Sequence, residues 1–280
     1  MLDVALYIVA TPIGNLSDLS PRAIETLSRV GLIAAEDTRH SQRLLTHFNI
    51  NTRQISVHDH NERQRVDMIL QHLEEGTSVA LISDAGTPVI SDPGYVLVKG
   101  VREAGHRVIP VPGCVAFITA LCASGLPATS FAFQGFAPPK GRAREQFFEA
   151  CADDTKTQIF YESCHRIQAS LEVMASVFGG DRPACVAREL TKTYETIKHG
   201  TLAELIEWVA ADANQRKGEF VVIVQGAPAQ DTSEIDAKTL SMLSVMIEEL
   251  PLKQAAGLVA KITGIKKNTL YQAALELKEG

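Results

Sequence analysis

Short runs of apolar, β-branched residues recur along this chain, separated by amphipathic stretches of helical periodicity. This alternation constrains the fold more than any other feature. Leu6–Ala10, Leu32–Ala35, Val79–Ser83, Val108–Val111, Phe131–Gln134, Gln158–Tyr161, Ala184–Ala187 and Phe220–Val224 read as strands. Between them Pro21–Val30, Glu62–Glu75, Tyr95–Ala104, Val115–Cys122, Arg142–Cys151, Arg166–Phe178 and Leu202–Ala211 carry helical spacing. Strands alternating with helices of about 10–15 residues mean an α/β fold, here expected to have mostly parallel sheets. At roughly 100–200 residues per domain, 280 residues suggest two domains and a small appendage.

Two points of punctuation divide the chain. Gly125-Leu126-Pro127 interrupts regular structure, and the polar string A-P-A-Q-D-T-S-E follows the last strand. The expected domains are residues 1–124 and 125–228, both α/β, followed by a helical tail, 229–280. The tail reads as helical from Ile235 to Leu277 with breaks at Pro251 and Gly264. It resembles a helix-turn-helix with Lys266, Lys267, Asn268 and Thr269 opening the second helix; a small bundle that docks or dimerises fits its nearly cancelling charges as well.

Net charge is −6, so any contact with nucleic acid rests on local basic patches working against the global field. No apolar run approaches the ~20 residues that span a bilayer, and the N-terminus reads as a first strand, not a signal peptide. The five cysteines are widely spaced with no C-x-x-C pair, which argues against a disulfide scaffold or a thiolate zinc site and fits a reducing cytoplasm.

Three strings concentrate turn chemistry just after strands. V-A-T-P-I-G-N-L-S-D at Val9–Asp18 exposes backbone where open α/β sheets bind ligands, although taken alone it reads more readily as a structural turn than as a site. V-A-L-I-S-D-A-G-T-P-V-I-S-D-P-G at Val79–Gly94 builds a long shaped loop in which two Asp residues sit beside backbone that a flat ligand could approach. V-P-G-C-V-A-F-I-T-A-L at Val111–Leu121 ends in a helix whose free N–H groups suit an anionic group. Neither the dinucleotide nor the Walker fingerprint occurs anywhere.

Together these strings resemble the tetrapyrrole methylase superfamily of S-adenosylmethionine-dependent methyltransferases. More narrowly, they are similar to the branch that methylates the ribose 2′-hydroxyl of a cytidine in 16S ribosomal RNA of the small subunit. The narrower resemblance is carried by T-P-I-G-N-L-S-D, by A-E-D-T-R at Ala35–Arg39, by V-H-D-H-N-E at Val57–Glu62 and by S-D-A-G-T-P-V-I-S-D-P-G. Further along come G-F-A-P-P-K at Gly135–Lys140, F-Y-E-S-C-H-R at Phe160–Arg166, A-R-E-L-T-K-T-Y-E at Ala187–Glu195 and K-G-E-F-V at Lys217–Val221. Cys114, Val115 and Cys164 depart from the family's usual residues.

The resemblance implies two α/β domains with the cofactor, S-adenosylmethionine, folded into the cleft between them, in a fold that is not the Rossmann methyltransferase fold. It carries cofactor contacts to Pro12, Ile13, Asp84, Ala85, Gly86, Val89 and Ile90, then to Cys114, Val115, Tyr161, Ala187 and Glu219. It also implies a homodimer whose partner is 16S ribosomal RNA or the small ribosomal subunit, with no role for DNA or a membrane.

A ribose hydroxyl is a poor nucleophile, so a positioned proton acceptor helps the transfer. Glu36, Asp37 and His60 are the catalytic candidates, with Glu62 nearby in the same polar strings. Arg39 and Arg43, with Arg53, Arg63 and Arg65 beyond them, form one cationic group, and Lys140, Arg142 and Arg144 form a second. Both are candidates for phosphate contacts, although any single Arg reads as well as a solvated helix face. His58, His60 and Glu62 lack a distant partner for a metal, Cys164-His165 are sequence neighbours that point apart, and Lys192 and Glu195 fit a salt-bridged strand edge. No metal is expected. Two other functions stay open: methylation of a tetrapyrrole or other small molecule, and a non-catalytic RNA-binding assembly factor. The cationic groups and the helical tail favour RNA.

Overall fold

The computed structural model describes residues 2–228, 235 and 237–279, and its contacts resolve into two compact units, Met1–Ala227 and Pro228–Gly280. From residue 229 on, the polar linker expected at residues 227–234 lies outside the described residues.

The first unit opens with β1 (Leu6–Val9), α1 (Pro21–Arg29), β2 (Leu32–Ala35), α2 (Thr38–His47), β3 (Gln54–Ser56), α3 (Glu62–Glu74), β4 (Val79–Ile82), α4 (Tyr95–Glu103), β5 (Val108–Val111) and α5 (Ala116–Ala123). Its five strands form one parallel sheet in the order β3-β2-β4-β1-β5. Side chains alternate across it. Tyr7, Val9, Ile33, Ala35, Ala80 and Ile82 pack under α1 and α2, while Leu6, Leu32, Ala34, Val79 and Leu81 pack under α3 and α4. Covering on both faces is why these strands read as nearly continuous apolar runs.

The unit continues with β6 (Phe131–Phe136), α6 (Arg142–Glu149), β7 (Thr157–Ser163), α7 (Ile167–Phe178), β8 (Pro183–Arg188), β9 (Thr196–Thr201), α8 (Leu202–Ala211) and β10 (Glu219–Val224). Here the expectation of mostly parallel sheets fails. The order is β6-β7-β10-β8-β9, and only β6 and β7 run parallel; β10 is antiparallel to both β7 and β8, and β8 to β9. A seven-residue connection, 189–195, is too short for a parallel crossover and forces β8 and β9 to oppose each other.

One face of this sheet is closed by α6, α7 and α8, through Phe148, Leu171, Met174, Leu205 and Val209. On the other face Ile159, Cys185, Ala187, Val221 and Ile223 meet Ala120 and Leu121 of α5 and, at the margin, Ile13 of the loop after β1. The expected boundary at residue 124 thus falls directly after the helix that packs on the second sheet.

The second unit holds α9 (Ala237–Glu249), α10 (Leu252–Thr263) and α11 (Lys267–Glu279), with Pro251 opening α10 and Gly264, at φ +77°, closing it. Leu243, Ala255, Ala256, Val259, Leu270 and Ala274 form its core. Small alanines at this centre allow three short helices to approach closely.

Candidate active site

The three turn-rich strings leave adjacent strands of one sheet at their carboxyl ends, and hydrogen bonds stitch them together. Thr11 and Gly86 exchange backbone bonds (2.8 and 3.1 Å), and the Thr11 hydroxyl donates to the Ser83 carbonyl at 3.2 Å. The Thr87 hydroxyl donates to the Cys114 carbonyl at 3.0 Å. Within the long loop, Val89 and Ser91 hold φ of +77° and +63°. A β-branched residue in the left-handed region costs of order 1–2 kcal/mol. Surrounding structure must hold it, and Gly94 leaves the room: a Cβ there would lie 2.8 Å from Leu81 and 3.0 Å from Val89.

Between these loops and the face of the second sheet that also meets α5 lies a cavity of about 420 Å3. Of the residues expected to contact the cofactor, Ile13, Ala85, Gly86, Ile90, Val115, Tyr161, Ala187 and Glu219 line it. Pro12, Asp84, Val89 and Cys114 are not among its lining residues. The Asp84 carboxylate accepts the Asp37 N–H at 3.2 Å, and Cys114 is tied through its carbonyl to Thr87. Thr87, Ser91 and Asp92, the stretch Glu162–Cys164, and Leu190, Gly218, Phe220 and Val221 also line the cavity, although the sequence named none of them as a cofactor contact. Asp92 was within reach, as the second acid of S-D-P-G. Thr87 and Ser91 belong to the same loop string, and the remaining residues sit in or beside strand runs with no local signal of their own. Tyr161 is held by rings: Phe133 at 4.8 Å, itself stacked on Phe117 at 4.2 Å, and Phe136 at 5.4 Å. Burial, with Asp92 adding to it, pushes the Tyr161 hydroxyl up to about 12, so it stays protonated and can donate.

Three acidic residues line this space, although the Glu162 carboxylate is turned towards α7. Glu162 is bound by Arg166 at 2.9 Å, the Ser163 N–H at 2.7 Å and the Ser170 hydroxyl. Glu219 is bound by Lys192 at 2.8 Å. Asp92 has no ion pair among the described residues, and burial followed by the charges of Glu36, Asp84 and Asp59 raises it to about 6 against a hydrogen bond from Ser83. Glu36 is raised too, first by burial and then by Asp84 and Asp59.

The other sequence candidates separate by environment. Asp37 caps α2 by accepting the Arg39 N–H at 2.8 Å, and the Arg39 guanidinium holds its carboxyl at about 2, a poor proton acceptor. His60 is exposed, 5.9 Å ring to ring from His58, and is not on the cavity wall. Glu62 is 5% exposed and accepts the Leu97 N–H at 2.7 Å, capping α4 from another helix, so its role is structural. Among the described residues no group of His, Cys, Asp or Glu is placed to hold a metal ion, and all five cysteines are free.

The family model described as Tetrapyrrole (Corrin/Porphyrin) Methylases matches residues 5–206. The chain belongs to the tetrapyrrole methylase family. A second model, RsmI C-terminal HTH domain, matches residues 233–278 of this methylase. A protein of Haemophilus influenzae named ribosomal RNA small subunit methyltransferase I is 52% identical to it over 271 residues, covering 96% of each chain. The protein of the same name from Escherichia coli O157:H7 is 53% identical over 271 residues, covering 97% of the methylase and 94% of the relative. Among solved structures, diphthine synthase superposes with a TM-score of 0.61 at 15% identity, over 79% of this chain and 89% of the other. The cobalamin biosynthetic enzyme cobalt precorrin-4 methyltransferase gives 0.60 at 17% identity, over 79% and 95%. These two show the fold.

The methylase is an enzyme that uses S-adenosylmethionine, and the cavity suits that cofactor. Ile13, Ile90, Val115 and Ala187 offer apolar contact for the adenosyl group, and the acidic wall favours the positive sulfonium. Outside the cavity, Arg39 and Arg43 are exposed on α2, and Arg39 lines a shallow depression with Arg53 and Gln54. Lys140 and Arg142 are exposed where α6 begins. Arg144 departs from the expected phosphate contact. It is 5% exposed, and its guanidinium donates to the Pro138 carbonyl at 3.1 Å and to the Pro139 carbonyl, pinning the turn before α6.

Among the described residues, no helix is long and apolar enough to cross a membrane.

Proposed function

We propose that this methylase transfers a methyl group to the ribose 2′-hydroxyl of a cytidine in 16S ribosomal RNA of the small subunit. The observation that carries the reading is the identity of 52–53%, over nearly the full length, to relatives named for small-subunit ribosomal RNA. The exposed cations Arg39, Arg43, Lys140 and Arg142 support it, because they give an acidic protein local contacts for phosphates.

S-adenosylmethionine supplies a methyl group already activated on a sulfonium. The chain's task is to hold the hydroxyl in line and take its proton. Asp92 is the acceptor best suited to this, being on the wall, without a cationic partner and raised towards neutrality. The negative charge of Glu36 helps to keep Asp92 basic, while Asp37, held low by Arg39, and His60, off the cavity wall, are not assigned to the proton path. Tyr161, protonated at neutral pH, can donate to a substrate oxygen. We read the protein further as a cytoplasmic homodimer, the state its family resemblance implies.

The test is transfer of labelled methyl from S-adenosylmethionine to naked 16S ribosomal RNA and to small ribosomal subunits, followed by mass mapping of the modified nucleotide. A mass gain on one cytidine ribose is expected. Labelling of a tetrapyrrole with none of ribosomal RNA would overturn the reading.

A further inference from the structure

We propose that a second pocket, beside the cofactor cavity and bounded by Arg188, Tyr194 and Gln215, receives the nucleotide adjoining the methylated one in the RNA strand. This rests on the proposed RNA substrate and names a subsite for it. The pocket encloses about 660 Å3 between the 189–195 loop and the turn at residues 213–216. It is a direct neighbour of the cofactor cavity: Gly218 lines both, and the consecutive residues Glu189 and Leu190 face one each. Ala187 lines the cavity on one face of the second sheet and Arg188, the next residue of β8, lines this pocket on the other, so an RNA strand with one ribose in the cavity would pass round Gly218 at this end of the sheet to reach it.

The pocket's shape is preset. Glu189 and Thr191 hold φ of +50° and +65°, and Lys192 clamps the loop by bridging Glu189 at 2.9 Å and Glu219 at 2.8 Å. The Thr191 N–H donates to the Glu195 carboxylate at 2.6 Å. Gly218, at φ +96°, admits this packing because a Cβ there would collide with the Glu189 side chain.

The lining carries hydrogen-bonding groups without protein partners. Arg188 is 6% exposed, yet its guanidinium makes one bond, to the Tyr194 carbonyl at 3.0 Å, and its Nε has no acceptor among the described residues. Glu189, the nearest carboxylate in sequence, is turned to Lys192 and to the Glu219 N–H at 3.0 Å. Gln215 Oε1 is an acceptor without a donor. A buried cation and a buried amide oxygen left open in one pocket call for a ligand that both accepts and donates. At the rim Tyr194 is 72% exposed, with no ring partner among the described residues. Glu189 and Glu195 also line the pocket, so it does not select a bare anion. An aromatic platform beside one donor and one acceptor matches a single-stranded nucleotide, its base stacked on Tyr194 and its phosphate or ribose oxygens on Arg188.

The experiment measures steady-state methylation of small-subunit RNA by the wild type and by Tyr194→Ala, Tyr194→Trp and Arg188→Gln, with cofactor affinity by calorimetry. Loss of one stacked base raises KM for RNA by about 5- to 150-fold in Tyr194→Ala, with kcat and cofactor affinity unchanged, and Tyr194→Trp restores KM. Arg188→Gln raises KM in the same way; should this buried change prevent folding, the exposed Tyr194 pair decides alone. A wild type that does not methylate the RNA overturns the RNA reading itself. With the wild type active, a wild-type KM in Tyr194→Ala, or a matching loss of cofactor affinity, overturns the subsite.

Discussion

Asp92→Asn removes the wall carboxylate that no cation holds while keeping its shape. Burial and the charges of Glu36, Asp84 and Asp59 lift this carboxyl from 3.8 to about 6, with Ser83 opposing. At pH 7 about nine-tenths of it is ionised, and at pH 5 roughly one tenth. If it takes the hydroxyl proton, kcat/KM climbs about tenfold per pH unit up to pH 6 and then levels. In Asp92→Asn that acid limb disappears and the rate falls by about 10²–10⁴, or roughly 3–5 kcal/mol of barrier. Stability should move the other way. A folded pKa above the unfolded one means that the protonated form stabilises the fold, fully below about pH 4, and that this contribution is lost as pH rises through 6. Asn suffers no such loss, so the variant should melt at or slightly above the wild type at pH 8, the gain being small at a half-buried site. Labelled methyl transfer from pH 5 to 9 at saturating cofactor, with melting curves at pH 4 and 8, tests both. An unchanged rate or acid limb would refute the assignment, and a lower melting temperature at pH 8 would make Asp92 structural.

Ile90→Asp places a charge on the apolar cavity wall and should weaken cofactor binding at least tenfold by calorimetry, whereas Asp84→Ala should do less, because Asp84 accepts the Asp37 N–H and does not line the cavity. Equal losses would put Asp84 in the cavity. Neutralising Arg39 and Arg43, or Arg142, should flatten the salt dependence of RNA binding by about one unit of slope per lost phosphate contact, while Arg144→Gln should cost about 1–3 kcal/mol of stability by freeing the Pro138 and Pro139 carbonyls. A stable Arg144→Gln with a flattened slope would reverse that division. Light scattering should give a particle of twice the 30.4 kDa chain mass; a particle of 30.4 kDa would rule out the homodimer.

Much of the frame was legible locally. β1, β2, β4, β8 and β10 are buried along nearly their whole length, so their side chains had to be apolar and could be read as strands. Glycine, proline and aspartate after β1, β4 and β5 marked the cavity's floor, because such backbone turns admit few other residues. Two of the four edge strands, β3 and β9, were missed. β9 reads T-I-K-H-G-T and β3 is only half-buried, so neither carries an apolar signature. The polar first turn of α2, T-R-H-S, hid that helix in the same way. Strand direction in the second sheet was not written locally either, since alternation is the same whichever way a strand runs.

Charge was the least legible property of all. Glu62 and Arg144 look like surface residues in their strings and are buried against a helix end and two carbonyls. Asp37 and Asp92 are both acids in turn strings, yet one is held at about 2 and the other at about 6. A side chain's type is local, but its solvation and many of its charged neighbours are not: Asp37 is set by Arg39 two positions away, whereas only the folded chain brings Glu36 and Asp59 to Asp92.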